Sequence, residues 1–163
     1  MKKFLLSFLA LFALPAAANA GYTSDIDLMT DETKIRISHD STTKVSNSIG
    51  VLEPATLWIR CNFKNDKTTN LEAFIKTPTY NSDNNKVGIR WDSGEPIRTS
   101  WNESTSGTAL FNPDPKKFIN KLIESNTLVF QWSPYQSVAQ AVKFDLIQMK
   151  TDIIQAKTEG CEY

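Results

Sequence analysis

The sequence predicts an α+β fold: a single domain, mostly antiparallel β-sheet and sandwich-like, with two helices, the second C-terminal and tethered by a disulfide. Three observations carry that expectation. Short segments of apolar–polar alternation recur between turns rich in Asn, Asp, Gly and Pro, which is the mark of antiparallel pairing. The apolar period changes from two to about 3.6 residues after Pro113 and again after Asp145. Two cysteines stand behind an export-type leader, and an even count in an oxidising compartment reads as one bridge, Cys61 to Cys161.

Length and composition set the outer bounds. The chain has 163 residues, 40% of them hydrophobic, with 4 Trp, 4 Tyr and 9 Phe. That suits one folded domain and is too apolar for disorder. Met1-Lys2-Lys3, an apolar run from Phe4 to Pro15 and Ala18-Asn19-Ala20 match a secretory signal peptide, so residues 1–20 are expected to be a leader and 21–163 the mature domain. The run is too short for a membrane span, and no later segment is apolar enough for one. The predicted location is the periplasm, or beyond it by secretion. Removing the leader takes away Lys2 and Lys3, leaving 16 basic against 18 acidic residues, a net charge of −2. A nucleic-acid partner, which calls for a basic face, is therefore not expected.

Residues 21–33 are polar and acidic and read as an irregular lead-in. Lys34–Ser38 alternates, with Ile35 and Ile37 on one face. Residues 39–54, rich in Ser and Thr, read as loop. Ala55–Phe63 is the strongest strand, Leu57, Ile59 and Cys61 on one face and Trp58, Arg60 and Asn62 on the other. A turn at Asn65-Asp66-Lys67-Thr68 leads to a strand at Leu71–Lys76. After the polar turn 80–85, Lys86–Asp92 forms the next, with Val87, Ile89 and Trp91 inward. Short strands follow around Ile97–Trp101 and Thr108–Phe111.

Asp114-Pro115 then signals a helix start, an N-cap acid followed by proline at the first position. Phe118, Ile119, Leu122 and Ile123 form its apolar stripe. Thr127–Trp132 and Val138–Phe144 are the last strands. A second helix runs from about Asp145 to about Lys157 on Leu146, Met149 and Ile153, with Ile147 and Ile154 beside them, and Gly160 stops it.

The search for chemistry yields little. One histidine and two cysteines are too few for the usual zinc sites, and no cofactor motif is present. Ser38-His39-Asp40 looks like a triad, but neighbours on a strand point to opposite faces and cannot converge. Asp92, Glu95 and Glu103 near Trp91 and Trp101 could form a glycosidase pair, though acids that solvate turns look the same. Asp25, Asp27 and Asp31 lack the glycine and twelfth-position Glu of a calcium loop. No catalytic or metal-binding residue is assigned. The expected binding surface is Trp58, Arg60, Arg90 and Asp92: if their strands pair, two arginine forks face one side with Asp92 as counter-ion and can hold an anionic ligand or a partner carboxylate. A cross-strand surface ion pair is the plainer reading of the same residues.

One ordered set of motifs resembles a known family. It comprises Ser24-Asp25-x-Asp27 before an alternating strand, Leu57-Trp58-Ile59-Arg60-Cys61, Ile89-Arg90-Trp91-Asp92, Trp101 after a turn, the Phe118–Ile123 helix, and Phe144-Asp145-Leu146 leading to Cys161. In this order, over nearly all of 21–163, they resemble the type VI secretion system-associated VasI/TagO family. The resemblance implies an exported envelope protein that accompanies a contractile secretion machine, carries a disulfide, and has no established catalytic residues. Lys150, Asp152 and Lys157 make the last helix more polar than that family's, as in a diverged relative from a phage or mobile element. The sequence thus points to a non-enzymatic periplasmic accessory or binding protein whose partner is a cell-envelope protein or peptidoglycan. The alternatives are a small peptidoglycan hydrolase and an exported inhibitor or exclusion factor that uses Tyr80–Lys86 or Ser104–Gly107.

Overall fold

Alternation decides which side of each strand is buried, and two sets of inward rows meet in one core. The computed structural model describes residues 20–65, 67–82 and 86–163. The predicted leader lies outside the described residues except for Ala20, as do parts of the turns expected at 65–68 and 80–85. The first sheet has six strands in the order β1 (Ala20–Asp27), β2 (Glu32–Ser46), β3 (Leu52–Lys64), β4 (Lys67–Lys76), β8 (Ala109–Phe111) and β7 (Asn102–Glu103). The second has four, ordered β10 (Gln140–Asp145), β9 (Thr127–Trp132), β5 (Lys86–Trp91) and β6 (Ile97–Ser100). Every named pairing is antiparallel.

Ile35 and Ile37 of β2, Leu57, Ile59 and Cys61 of β3 and Ile75 of β4 supply one side of the core. Val87 and Ile89 of β5, Leu128, Phe130 and Trp132 of β9, and Val142 and Phe144 of β10 supply the other. Trp101, in the crossing from β6 to β7, is buried between them, its ring edge-on to Phe118 at 5.1 Å.

The helices follow their sequence signals. α1 (Pro115–Glu124) is capped by Asp114, whose carboxylate accepts the Lys117 N–H at 3.1 Å, and it buries Phe118, Ile119 and Leu122. α2 (Ile147–Thr158) buries Met149, Asp152, Ile153 and Ala156. Ile147 and Ile154, expected beside its stripe, are instead exposed. Past α2 the chain reverses at Gly160, with φ of +112°, and a Cβ there would sit 2.8 Å from Phe63. Glycine alone satisfies both demands. The reversal brings Cys161 to β3, where it is bonded to Cys61 with 6.1 Å between their Cα atoms.

Two stretches depart from expectation. The supposed lead-in 21–33 is largely β1, an edge strand paired along its length with β2. Edge pairing is made by backbone groups, and outward polar residues there hide the alternation. The supposed loop 39–54 is strand on both sides of a turn, with a register shift in β2 between Asp40 and Lys44. Its Ser and Thr side chains do structural work across the sheets. Thr42 donates to the Lys143 carbonyl, and Thr43 accepts the Lys143 N–H, each at 2.9 Å. Hydroxyls thus fasten the tail of β2 to β10.

Candidate functional site

The outward row of β2 and β3 forms the site. Ile35, Ile37, Leu57 and Ile59 point inward, so parity sends Arg36, Ser38, Trp58 and Arg60 to the opposite face. Register then brings Arg36 directly opposite Arg60 and Ser38 directly opposite Trp58. On the other side, β1 places Thr23 opposite Arg36 and Gly21 opposite Ser38. These six residues line a cleft of about 340 Å³.

Its electrostatics are lopsided. Like charges facing each other across a strand pair repel, and here two guanidinium groups do. Arg36 donates from Nη1 to the Ile35 carbonyl at 3.2 Å and to Asn62 Oδ1 at 3.3 Å, both neutral acceptors. Arg60 lies 3.6 Å from Glu72, too long for a strong hydrogen bond, and packs over the Phe74 ring at 4.5 Å. Phe74 is itself stacked between Trp58, centroid distance 6.1 Å, and Phe111, 4.6 Å. Phe74 therefore holds both Arg60 and Trp58 in place, while among the described residues the two cations have one carboxylate between them, Glu72, loosely placed and against Arg60 alone. A further anion would relieve that excess.

Of the four residues expected to form the binding surface, Trp58 and Arg60 are brought together, and Arg90 and Asp92 are not. The strands that carry them, β3 and β5, lie in different sheets and never pair. Arg36 occupies the cross-strand place expected for Arg90. Arg90 is exposed on β5, opposite Val129 of β9. Asp92 is no counter-ion to either arginine of the cleft. Its carboxylate accepts the N–H groups of Asn126 at 2.8 Å and Thr127 at 2.9 Å, fixing the entry to β9.

These two backbone donors, Asn126 first, hold the Asp92 carboxyl below its ordinary range. A depressed carboxylate stabilises the fold above the unfolded-state value of ~3.9 and loses that contribution as pH falls through the folded value. The melting temperature of Asp92→Asn, which keeps a neutral acceptor, should thus lie below that of the parent at pH 6. The gap should narrow steadily below pH ~4. A gap that stays constant with pH would show that the charge contributes nothing.

The remaining candidates are structural in their surroundings. Glu95 lies in the exposed turn before β6 and Glu103 on β7 in the other sheet, so the acids near Trp91 and Trp101 are divided between sheets. Asp27 pairs with Lys34 and accepts the Met29 N–H at 2.9 Å, closing the β1–β2 turn. Asn81 ties the two loops proposed for an inhibitor, donating to the Gly107 carbonyl from its backbone at 2.7 Å and its side chain at 2.9 Å. Ser38 faces the cleft while His39 faces the core, so Ser38-His39-Asp40 does not converge. Sequence reasoning missed what His39 meets there: Nε2 lies 2.7 Å from Oδ2 of Asp152, a buried pair linking β2 to α2. Among the described residues no cluster of three or more His, Cys, Asp or Glu is placed to hold a metal ion. No described helix is long and apolar enough to cross a membrane.

No protein-family profile matches the chain, and no curated protein matches it in sequence. Among solved structures, the chain is similar to the crystal structure of invasion associated protein b from Bartonella henselae, with a TM-score of 0.48 and 12% identity, over 89% of this chain and 97% of that one.

Proposed function

We propose that the protein is an exported, non-enzymatic accessory protein of the cell envelope that binds a carboxylate-bearing peptidoglycan fragment in the Arg36–Arg60–Trp58 cleft. The observation that carries this reading is the pair of arginines set opposite each other beside the Trp58 indole. Guanidinium forks match carboxylates in bidentate geometry. A flat aromatic face suits the apolar side of a sugar ring or a peptide stem. The Cys61–Cys161 bond is compatible with an oxidising envelope compartment. Service to a type VI secretion machine is the finer form of the proposal, resting on the motif order set out above.

Co-sedimentation of the mature protein with purified peptidoglycan sacculi tests the proposal. Hydrogen bonds to charged groups are worth about 1.5–3 kcal/mol each. Replacing both arginines, Arg36→Gln with Arg60→Gln, should therefore weaken retention on the order of a hundredfold, and Trp58→Ala should weaken it further. Equal retention of parent and double variant, or no retention of the parent, would sink the idea.

A further inference from the structure

A second concavity, of about 830 Å³, opens at the far edge of the four-stranded sheet, between β6 and α1. Its floor continues the core. Ile97 sits directly opposite Ile89, so both belong to the inner face, and Trp91 shares that face two residues on. Trp91 also packs against Phe118 of α1 at 5.4 Å. The helix covers Ile89 and leaves the edge open: Ile89 is 3% exposed and Ile97 is 52% exposed. Exposed apolar surface continuous with a core marks a place where another chain can complete the layer.

Two more features specify what that chain is. Among the described residues β6 pairs on one side only, with β5, so its outer backbone edge is free to accept an extended strand. The helix rim above the floor carries Lys116, Lys117 and Lys121. The acids beside them are engaged: Asp114 caps α1, and Glu124 pairs with Lys121 at 3.2 Å. Lys116 and Lys117 have no carboxylate partner among the described residues. A chain of net charge −2 after removal of the predicted leader thus presents a local cationic rim over an apolar trough.

We infer that this groove docks an extended segment of a partner protein whose inward-facing row, every second residue, carries both apolar and acidic side chains. The segment adds to β6 as a fifth strand. Every second side chain of it faces the trough beside α1, so the apolar ones of that row reach Ile97, Trp91 and Phe118 and the acids of the same row reach the lysines at the rim. The site is separate from the arginine cleft, which lies on the outer face of the other sheet.

The probe is a fluorescein-labelled octapeptide with valine and glutamate taking turns at its odd positions and threonine at its even ones, titrated by anisotropy against the mature protein. The expected result is saturable binding with amide-exchange protection at Ile97–Ser100. Affinity should fall at least about tenfold in Lys116→Glu with Lys117→Glu, and likewise in Ile97→Ser. All three positions are exposed, so circular dichroism should match the parent's. Four outcomes overturn the inference: no saturable binding, equal binding of the same peptide with lysine in place of glutamate, an unchanged affinity in the charge-reversed protein, or protection absent from β6. Concentration-dependent dimerisation abolished by Ile97→Ser would also overturn it, assigning the groove to a second copy.

Discussion

Replacing Cys61 and Cys161 together by alanine is expected to lower stability by about 4.7 kcal/mol, the chain-entropy figure for a closed loop near 100 residues. The bond joins residues 100 apart in sequence, so a long loop of the unfolded chain is constrained by it. For a chain of this size that loss corresponds to roughly 10–20 °C in melting temperature. The native tail keeps other anchors. Thr68 Oγ1 accepts the Glu162 N–H at 3.0 Å, and Tyr163 donates to the Ile153 carbonyl at 2.7 Å. Burial pushes the Tyr163 hydroxyl up to about 12, so it remains a donor far above neutral pH. The alanine variant should therefore fold to the same structure and simply melt earlier. Scanning calorimetry with and without reductant gives the check: reductant should lower the parent's transition and leave the variant's unmoved. A parent indifferent to reductant, with its thiols shown to be free, would remove the tether from the account of stability.

Much of this fold is legible in the sequence, and the limits of legibility have a physical pattern. β3, β9 and α1 announce themselves because each has one face in the core, so hydrophobic period and burial agree. β1 and the second half of β2 are hidden because their stability comes from backbone pairing and from hydroxyls such as those of Thr42 and Thr43, which carry no apolar period. Alternation also tells which way a side chain points without telling which strand lies beside it. That is why Arg90 was expected near Arg60. Both are outward residues on strongly patterned strands, but the strands belong to different sheets.

The candidate site divides along the same line. Trp58 and Arg60 are readable as an outward row. Arg36 is readable as outward too, but its position opposite Arg60 depends on register across the turn at 47–51 and the shift between Asp40 and Lys44, which no local signal fixes. The His39–Asp152 contact spans 113 positions. Its one local trace is parity: His39 continues the inward row of Ile35 and Ile37, and Asp152 adjoins Ile153 on the buried stripe of α2.

That contact carries the second large expected effect. His39 and Asp152 are 5% and 7% exposed, so neither can recover water as a partner if the other is removed. Breaking a buried pair from one side typically costs about 3–5 kcal/mol, because a charge or polar group is left without compensation. Against a total stability of roughly 5–15 kcal/mol, His39→Leu alone or Asp152→Leu alone should bring the protein close to unfolding at ordinary temperature. The double variant is expected to behave differently. Replacing both partners by apolar residues removes the desolvation penalty together with the attraction, and such exchanges are often neutral or stabilising. The Gln148 amide, which donates to Oδ1 of Asp152 at 3.0 Å, belongs to an exposed side chain and can turn to solvent. Urea denaturation of the parent, both single variants and the double completes the cycle. A strongly favourable coupling energy, with the double variant more stable than either single one, identifies the pair as a strut between β2 and α2. Losses that simply add would mean that each residue is held by its own surroundings and that the contact contributes little.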